Sequence, residues 1–487
     1  VATIDGISDD YYQWYNMGAG STLKAPSSNY TGDKMLSYFA RINYSFKDRY
    51  LVTVTGRFDG SSKFGEDNRF AFFPSAALGW RASEEDFLKG NKVISNLKPR
   101  VSYGFTGNSG IPTYGSMANL STNGMAYPFG GTRENGIGVG SLANPLLRWE
   151  KTGQFNVGLD LGFLNERISL SADYYIKHTT DMLLNAPVPT TSGFRSISTN
   201  IGNMRNSGFE FTLNTQNIQT KNFSWSSMLN FSSLKNKITA LSQGDADIIM
   251  APNNLTILRV GESVGSFFGY IRDGVWGENE TEQAAIYGKL PGDAKLRDVN
   301  NDKQINESDR VILGKGIPDF YGTFTNTFKY KDFDLVIELQ YSCGSKIYWD
   351  GLGTCAMRQG IANSLSMVLD TWTPENQGAT LEQIRPSNAY YNSLKDDARL
   401  YNGSFIRGKN ISLGYNLPSD ICKKLHLKAL RVTLSAQNIF VISQYPGFDP
   451  ETTVYNTTTQ NEAFAQNIET FGYPKPRTFS FGANITF

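Results

Sequence analysis

The sequence predicts an all-β chain that crosses a membrane as an antiparallel β-barrel. Three observations carry this prediction: apolar and polar residues alternate with a period of two along most of the 487 residues; the alternating runs are long; and the connections between them alternate between short and long.

The runs show two faces of opposite character. Tyr38, Ala40, Ile42, Tyr44 and Phe46 oppose Phe39, Arg41, Asn43 and Ser45. Phe155, Val157, Leu159, Leu161 and Phe163 oppose Asn156, Gly158, Asp160 and Gly162. Further runs start at Ile168 and Phe333, and the last places Phe479, Phe481, Ala483, Ile485 and Phe487 on one face. A β-sandwich (core against water) and a membrane barrel (lipid against a wet lumen) both give such alternation. Length separates them: sandwich strands run about 5–6 residues, whereas these run about 9–15, enough to cross a bilayer at a tilt. Aromatic residues gather at run ends, as at Tyr38, Tyr44, Phe46 and Tyr50, where a barrel places its interfacial girdles.

About thirteen long strands are expected. Short links such as Lys47–Arg49, Leu164–Glu166, Gln216–Lys221 and Tyr330–Asp332 alternate with long ones at about 107–147, 238–318, 346–401 and 441–475. Short periplasmic turns and long extracellular loops are the asymmetry of outer-membrane barrels. On the periplasmic side, Ser83–Lys89 (SEEDFLK) is expected to form a short helix capped by Ser83. By parity the first strand runs towards the periplasm, which puts residues 1–34 in an extracellular loop segment and residues 35–487 in the barrel. An odd number of strands cannot close such a barrel, and lipid cannot satisfy an open sheet edge. An N-terminal segment that completes the barrel is therefore the first expected partner.

Composition excludes other classes. Charged residues are 19% of the chain and the formal net charge is +1, so no basic surface for nucleic acid is indicated. No run of about 18 apolar residues encodes a membrane helix. Three cysteines, Cys343, Cys355 and Cys422, make no disulfide framework, although a fold-back of the loop would let Cys343 pair with Cys355. No enzyme signature appears. His178 and His426 read as solvated surface residues, and Gly136–Gly140 lacks the strand–turn–helix frame of a dinucleotide site. Two rival readings stay open: a secreted β-sandwich carbohydrate-binding module, and an outer-membrane adhesin or enzyme barrel.

One motif carries recognisable chemistry. Asp298, Asn300, Asp302, Gln304 and Asp309 follow the spacing of an EF-hand-like calcium loop, in which oxygens at alternate positions converge on one hard cation. Lys303 stands where a glycine is usual, and Asp309 is shorter than the usual Glu. Ca2+ is expected ahead of Mg2+; the alternative is a polar loop folded by Asx turns. Trp276, Trp349, Trp372, Tyr390 and Tyr391 could stack on sugars or peptide side chains, or simply pack their loops. Arg41, Glu338 and Gln340 are expected on the wet inner wall.

Several segments then resemble a known family. Residues 38–89 and KPRVSYGFTGNSGI at 98–111 resemble the middle barrel region of SusC/RagA-type TonB-dependent outer-membrane transporters. DVNNDKQINESDRVILGKGIPDFYGTF at 298–324 and FIRGKNISLGYNLP at 405–418 resemble family signatures, and residues 430–451 and 473–487 complete the C-terminal pattern. The resemblance implies a 22-stranded barrel with a plug domain absent from this chain, these strands being its C-terminal ones. It also implies TonB contact through the missing segment, a SusD-like surface lipoprotein, import of a glycan or oligopeptide, and a dimer of the transporter–lipoprotein complex, all in the bacterial outer membrane and in contact with its lipid.

Overall fold

A computed structural model describes residues 4–5, 21–23, 30–121, 126–250, 254–355, 363–385, 394–452, 464, 466–470 and 472–487. Thirteen strands follow one another in an antiparallel sheet, each hydrogen-bonded to the next in sequence. They are β1 Met35–Phe46, β2 Tyr50–Ser61, β3 Phe70–Trp80, β4 Ile94–Asn108, β5 Glu150–Phe163, β6 Ile168–Thr180 and β7 Asn203–Gln219. The series continues with β8 Phe223–Ser233, β9 Phe320–Tyr330, β10 Phe333–Cys343, β11 Phe405–Asn416, β12 Ala429–Gln437 and β13 Thr478–Thr486. Two further strands, Lys235–Ala240 and Val441–Ser443, pair with β7 and β11 to make a fifteen-stranded sheet. Among the described residues β1 and β13 each have one neighbour, so the sheet does not close on itself.

The register keeps each face chemically uniform. On one face Phe155, Val157, Leu159 and Leu161 of β5 stand opposite Ile176, Tyr174, Ala172 and Leu170 of β6. On the other, Asn156, Gly158 and Asp160 stand opposite Tyr175, Asp173 and Ser171. A slip of one residue would turn every polar side chain towards the apolar face, so the alternation itself enforces the pairing. The hairpins at one end are tight and free of glycine: Lys47 and Asp48, then Leu164, Asn165 and Glu166, then Lys331 take left-handed backbone conformations. A left-handed residue other than glycine costs about 1–2 kcal/mol, which the long ladders on either side offset.

The link between β3 and β4 departs from expectation. The chain forms a 3-10 turn at Ala82–Glu84 and then separate hydrogen-bonded turns, not a helix capped by Ser83. Glu85 is the reason: its backbone is extended, and its carboxylate accepts from Arg49 at 2.8 Å, Tyr50 at 2.7 Å and Trp80 at 3.1 Å. A side chain committed across to the β1–β2 turn and to β3 pulls the backbone out of a helical path. At the same end, a short helix at Ser419–Lys424 links β11 and β12.

The apolar cores lie in the connections at the opposite end. Met182, Leu184, Ile201, Ile238, Leu258 and Phe464 form one cluster. Phe64, Phe73, Ile111, Leu147 and Trp149 form a second. Leu255, Phe267, Tyr348 and Ile468 form a third. The long connections thus fold into a packed layer over one rim of the sheet.

Candidate functional site

The inner face of the sheet carries hydrogen-bonded polar side chains. On β4, β5 and β6, Arg100 donates to Asp160 at 2.9 Å and to Asp173 at 3.0 Å, while Ser171 donates to Asp160 at 2.8 Å. Gly158 makes room for this network, because a Cβ there would lie 2.4 Å from the Asp173 carboxylate and 2.7 Å from the Arg100 guanidinium carbon. Arg41 reaches Thr55 across β1 and β2 at 3.3 Å. Gln340 donates to Glu451 at 2.9 Å, joining β10 to the last long connection. Glu338 pairs in register with Asn410 of β11.

Above this wall, Glu451 is bound at 2.6 Å by Lys475 and at 3.2 Å by Arg407, which also grips Asp449 at 2.6 Å. Burial pushes the Glu451 carboxyl up, but the Lys475 and Gln340 hydrogen bonds outweigh it and hold the group below its ordinary value.

Deeper in the loop layer, Arg272 donates to Glu382 at 2.8 Å and to the fully buried Asp396. Burial pushes the Glu382 carboxyl up to about 7 against the attraction of Arg272. A cavity of about 680 Å³ opens beside this network. Its charged lining is balanced: Arg272, Lys295 and Arg399 against Asp273, Glu280 and Asp397. Lys295 is bound to Glu280 at 2.5 Å, and its ammonium lies 4.6 Å from the centre of the Trp276 ring. Such a cavity offers many donors and acceptors and little net charge. No sequence spacing announces the network beside it, because Arg272 meets Glu382 and Asp396 across 110 and 124 positions.

The aromatic residues singled out from sequence divide. Trp276 and Trp372 are buried, and Trp349 packs edge-on against Tyr401 and Tyr445, so these three hold the loop layer together. Tyr390 and Tyr391 lie outside the described residues. His178 and His426 are exposed. Gly138 and Val139 pair with Ser121 and Leu120 in a small sheet. Cys343 and Cys422 are free thiols.

Residues 298–309 form a tight loop held by Asx-type hydrogen bonds. The Asp298 carboxylate accepts from the N–H groups of Asp302 and Lys303 at 3.2 and 2.8 Å, and the Asp302 carboxylate accepts from Gln304 N–H at 2.8 Å. Asn300 donates to Asp302 at 3.0 Å. Lys303 meets the backbone demand of the usual glycine position by adopting φ +63°. Asp309 is fully buried, and its two oxygens accept from Val299 and Asn306 N–H, both at 2.9 Å. Ile305 packs against the cluster of Ala294, Leu296 and Leu394. Among the described residues no three His, Cys, Asp or Glu side chains form a metal-holding group. The loop as folded therefore satisfies its carboxylates with backbone donors, and a cation would have to compete with them.

Comparison with known proteins decides the family. A model of the TonB-dependent receptor-like β-barrel matches residues 4–439. The chain belongs to this family of outer-membrane β-barrels. It is 36% identical over 481 residues to TonB-dependent receptor P3 of Formosa agariphila, covering 97% of this chain and 47% of that protein. It is 34% identical over 481 residues to TonB-dependent receptor SusC of Bacteroides thetaiotaomicron, covering 96% of this chain and 45% of SusC. The solved RagAB peptide transporter superposes with a TM-score of 0.80 at 27% identity, over 96% of this chain and 49% of that one. The chain thus spans about half the length of the relatives it matches. These relatives are named as receptors and a transporter, not as enzymes. Among the described residues no helix is long and apolar enough to cross a membrane; the strands of such a barrel are its membrane-crossing elements.

Proposed function

We propose that this chain forms the C-terminal barrel part of a TonB-dependent importer that carries a bulky nutrient, a glycan first and an oligopeptide second, across the outer membrane. The observation that carries the proposal is the polar inner wall roofed by a packed loop layer, in a chain of this family. The charge-balanced cavity favours a neutral, hydroxyl-rich cargo over a strongly charged one. The structural neighbour RagAB is a peptide transporter, and that supports the second choice.

The rest of the machine follows as part of the same proposal. Residues 1–34 lie in an extracellular loop segment, and a further segment supplies the plug, the TonB contact and about nine strands of a 22-stranded barrel. A SusD-like lipoprotein covers the loop layer, and the transporter–lipoprotein complex forms a dimer. Import proceeds by rearrangement of the plug and opening of the lid, driven through TonB. Calcium at Asp298, Asn300, Asp302, Gln304 and Asp309 is a separable element, for which the spacing and the Lys303 backbone are the support. A rise in melting temperature with Ca2+ that is lost in Asp302→Ala would support it; no calcium-dependent change would remove it.

The decisive experiment extracts the transporter from outer membranes in mild detergent and identifies what accompanies it by mass spectrometry. It is paired with uptake of labelled oligosaccharides and oligopeptides by cells with and without TonB. Co-purified plug peptides and a surface lipoprotein, with TonB-dependent oligosaccharide uptake, support the proposal. TonB-independent uptake, or recovery of the protein without detergent, would overturn it.

A further inference from the structure

The outer face of the sheet is apolar and aromatic along most of its upper rim. Phe58, Phe70 and Phe72 occupy it on β2 and β3, and Tyr341, Ile406 and Ile442 occupy it on β10, β11 and the strand beside it. The rim of β5, β6 and β7 differs.

His178 of β6 stands directly opposite Arg205 of β7, and Arg205 stands directly opposite Lys237 of the adjoining strand Lys235–Ala240. Lys235 is opposite Ser207 in the next outward row, and Lys151 of β5 is opposite Thr180. The alternation puts all five on the outward face, in line with Tyr174, Ile176 and Phe209, and all five are exposed. Among the described residues none takes part in an ion pair, whereas Arg148 is bound to Asp181 and Arg259 to Asp247.

The height of the cluster is informative. His178 lies ten residues above Ile168, which at the strand rise and a barrel tilt places it roughly 25 Å above the short-turn end. An outward apolar band is about that tall. The aromatic pair Tyr174 and Phe209 sits one step below the Ser207 row, as an interfacial belt would. The cations therefore stand where the headgroups of the leaflet on the long-loop side begin. Like charges in directly opposed positions destabilise a sheet. Here Arg205 faces Lys237 across adjacent strands with no carboxylate paired to either, and an external anion is what relieves the repulsion.

We propose that Lys151, His178, Arg205, Lys235 and Lys237 form a binding site for the phosphate groups of a phosphorylated glycolipid of the outer leaflet. Four strands in register present a flat array of donors to several phosphate oxygens. The aromatic row beneath packs the sugar–acyl junction. Thr180 and Ser207 add hydroxyl donors at the same level. The site anchors the barrel in its leaflet on the side of the loop layer and is separate from the transport path. It rests on the proposed reading, in that the long loops lie outside the cell.

The test uses the full transporter purified from outer membranes, as wild type and as K151Q/R205Q/K235Q/K237Q. A control, K329Q/K331Q, neutralises cations at the opposite end. Native mass spectrometry measures retained lipid A after a detergent wash, with and without competing inorganic phosphate, and then after reconstitution with dephosphorylated lipid A. At least a tenfold loss of bound lipid A in the quadruple variant, with the control unchanged and dephosphorylated lipid A retained poorly by all forms, is the expected result. Equal retention by wild type and quadruple variant would overturn the site. Full displacement by millimolar phosphate alone would reassign it to a free-phosphate site and overturn the lipid proposal. If the quadruple variant fails to reach the membrane, the single variant R205Q carries the same comparison at smaller amplitude. A wild type found outside the outer membrane would sink the importer reading as well, which distinguishes the two failures.

Discussion

The sheet and the loop layer solve opposite problems with the same twenty residues. On the sheet, large apolar side chains point outward and stay exposed: Phe479 at 76%, Phe481 at 71% and Ile42 at 69%. In the loop layer the corresponding residues are sealed, with Phe267, Ile257, Leu258, Tyr348 and Ile468 all at 0%. A water-soluble protein would hide the first set. Only a solvent of hydrocarbon makes the two patterns compatible, so the contrast locates the membrane against the sheet and water against the layer. The layer is accordingly built like an ordinary globular core, including buried ion pairs, whereas the sheet's internal polarity is one-sided and wet.

The largest expected effect breaks the layer alone. Arg272→Met leaves Asp396 and Glu382 without their shared guanidinium. Removing one partner from a buried ion pair costs about 3–5 kcal/mol. On intact cells, added protease should then cut the long connections while the protein keeps its heat-modifiable barrel mobility in gels. Loss of both properties together would show that sheet and layer fold as one unit and would break the comparison.

A matched pair of truncations sharpens it. Phe267→Ala empties a protein-lined space that nothing refills, for about 3–5 kcal/mol. Phe481→Ala on the outer face loses only the transfer term, about 1.5–3 kcal/mol, because lipid tails close over the gap. Denaturant unfolding of the transporter in lipid bilayers should rank them in that order; the reverse order would mean that β13 packs against protein rather than lipid. Val157→Arg then probes the solvent itself. Its position near the middle of β5 predicts a loss of about 2–4 kcal/mol in bilayers. A negligible change in the same assay would mean that this face meets water.

How much of this is legible in the sequence follows the same division. The strands are readable because period-two alternation is local, and β5 against β6 needs no information beyond Phe155–Phe163 and Ile168–Ile176. The expected periplasmic helix does not form because Glu85 answers to Arg49 and Tyr50, which lie 36 and 35 residues away. The packing of the loop layer is not readable. Asn467 binds Gly316 from 151 residues away, and Arg272 finds Asp396 across 124. The 298–309 loop shows the intermediate case: its spacing and its turn backbone are both visible, but the commitment of both Asp309 oxygens to Val299 and Asn306 N–H is not.

The most local effect is a pH dependence confined to the layer. Burial raises the folded Glu382 carboxyl from 4.5 to about 7, with Arg272, Asp396 and Arg399 facing it. Between those values the folded state holds a proton that the unfolded chain has released, so the slope of stability against pH is negative there. The layer should be most stable below about pH 4.5, lose stability as pH rises to about 7, and change no further above it through this group. The loss is on the order of 3 kcal/mol. Glu382→Gln, which keeps the size and cannot ionise, should flatten the profile between pH 4.5 and 7 and leave the sheet's unfolding unaffected. The readout is protease cleavage of the long connections at several pH values, alongside barrel unfolding in the same bilayers. An unchanged slope in the Gln variant would assign the pH dependence to another group, and a slope shared by the sheet would show that the two regions do not respond separately.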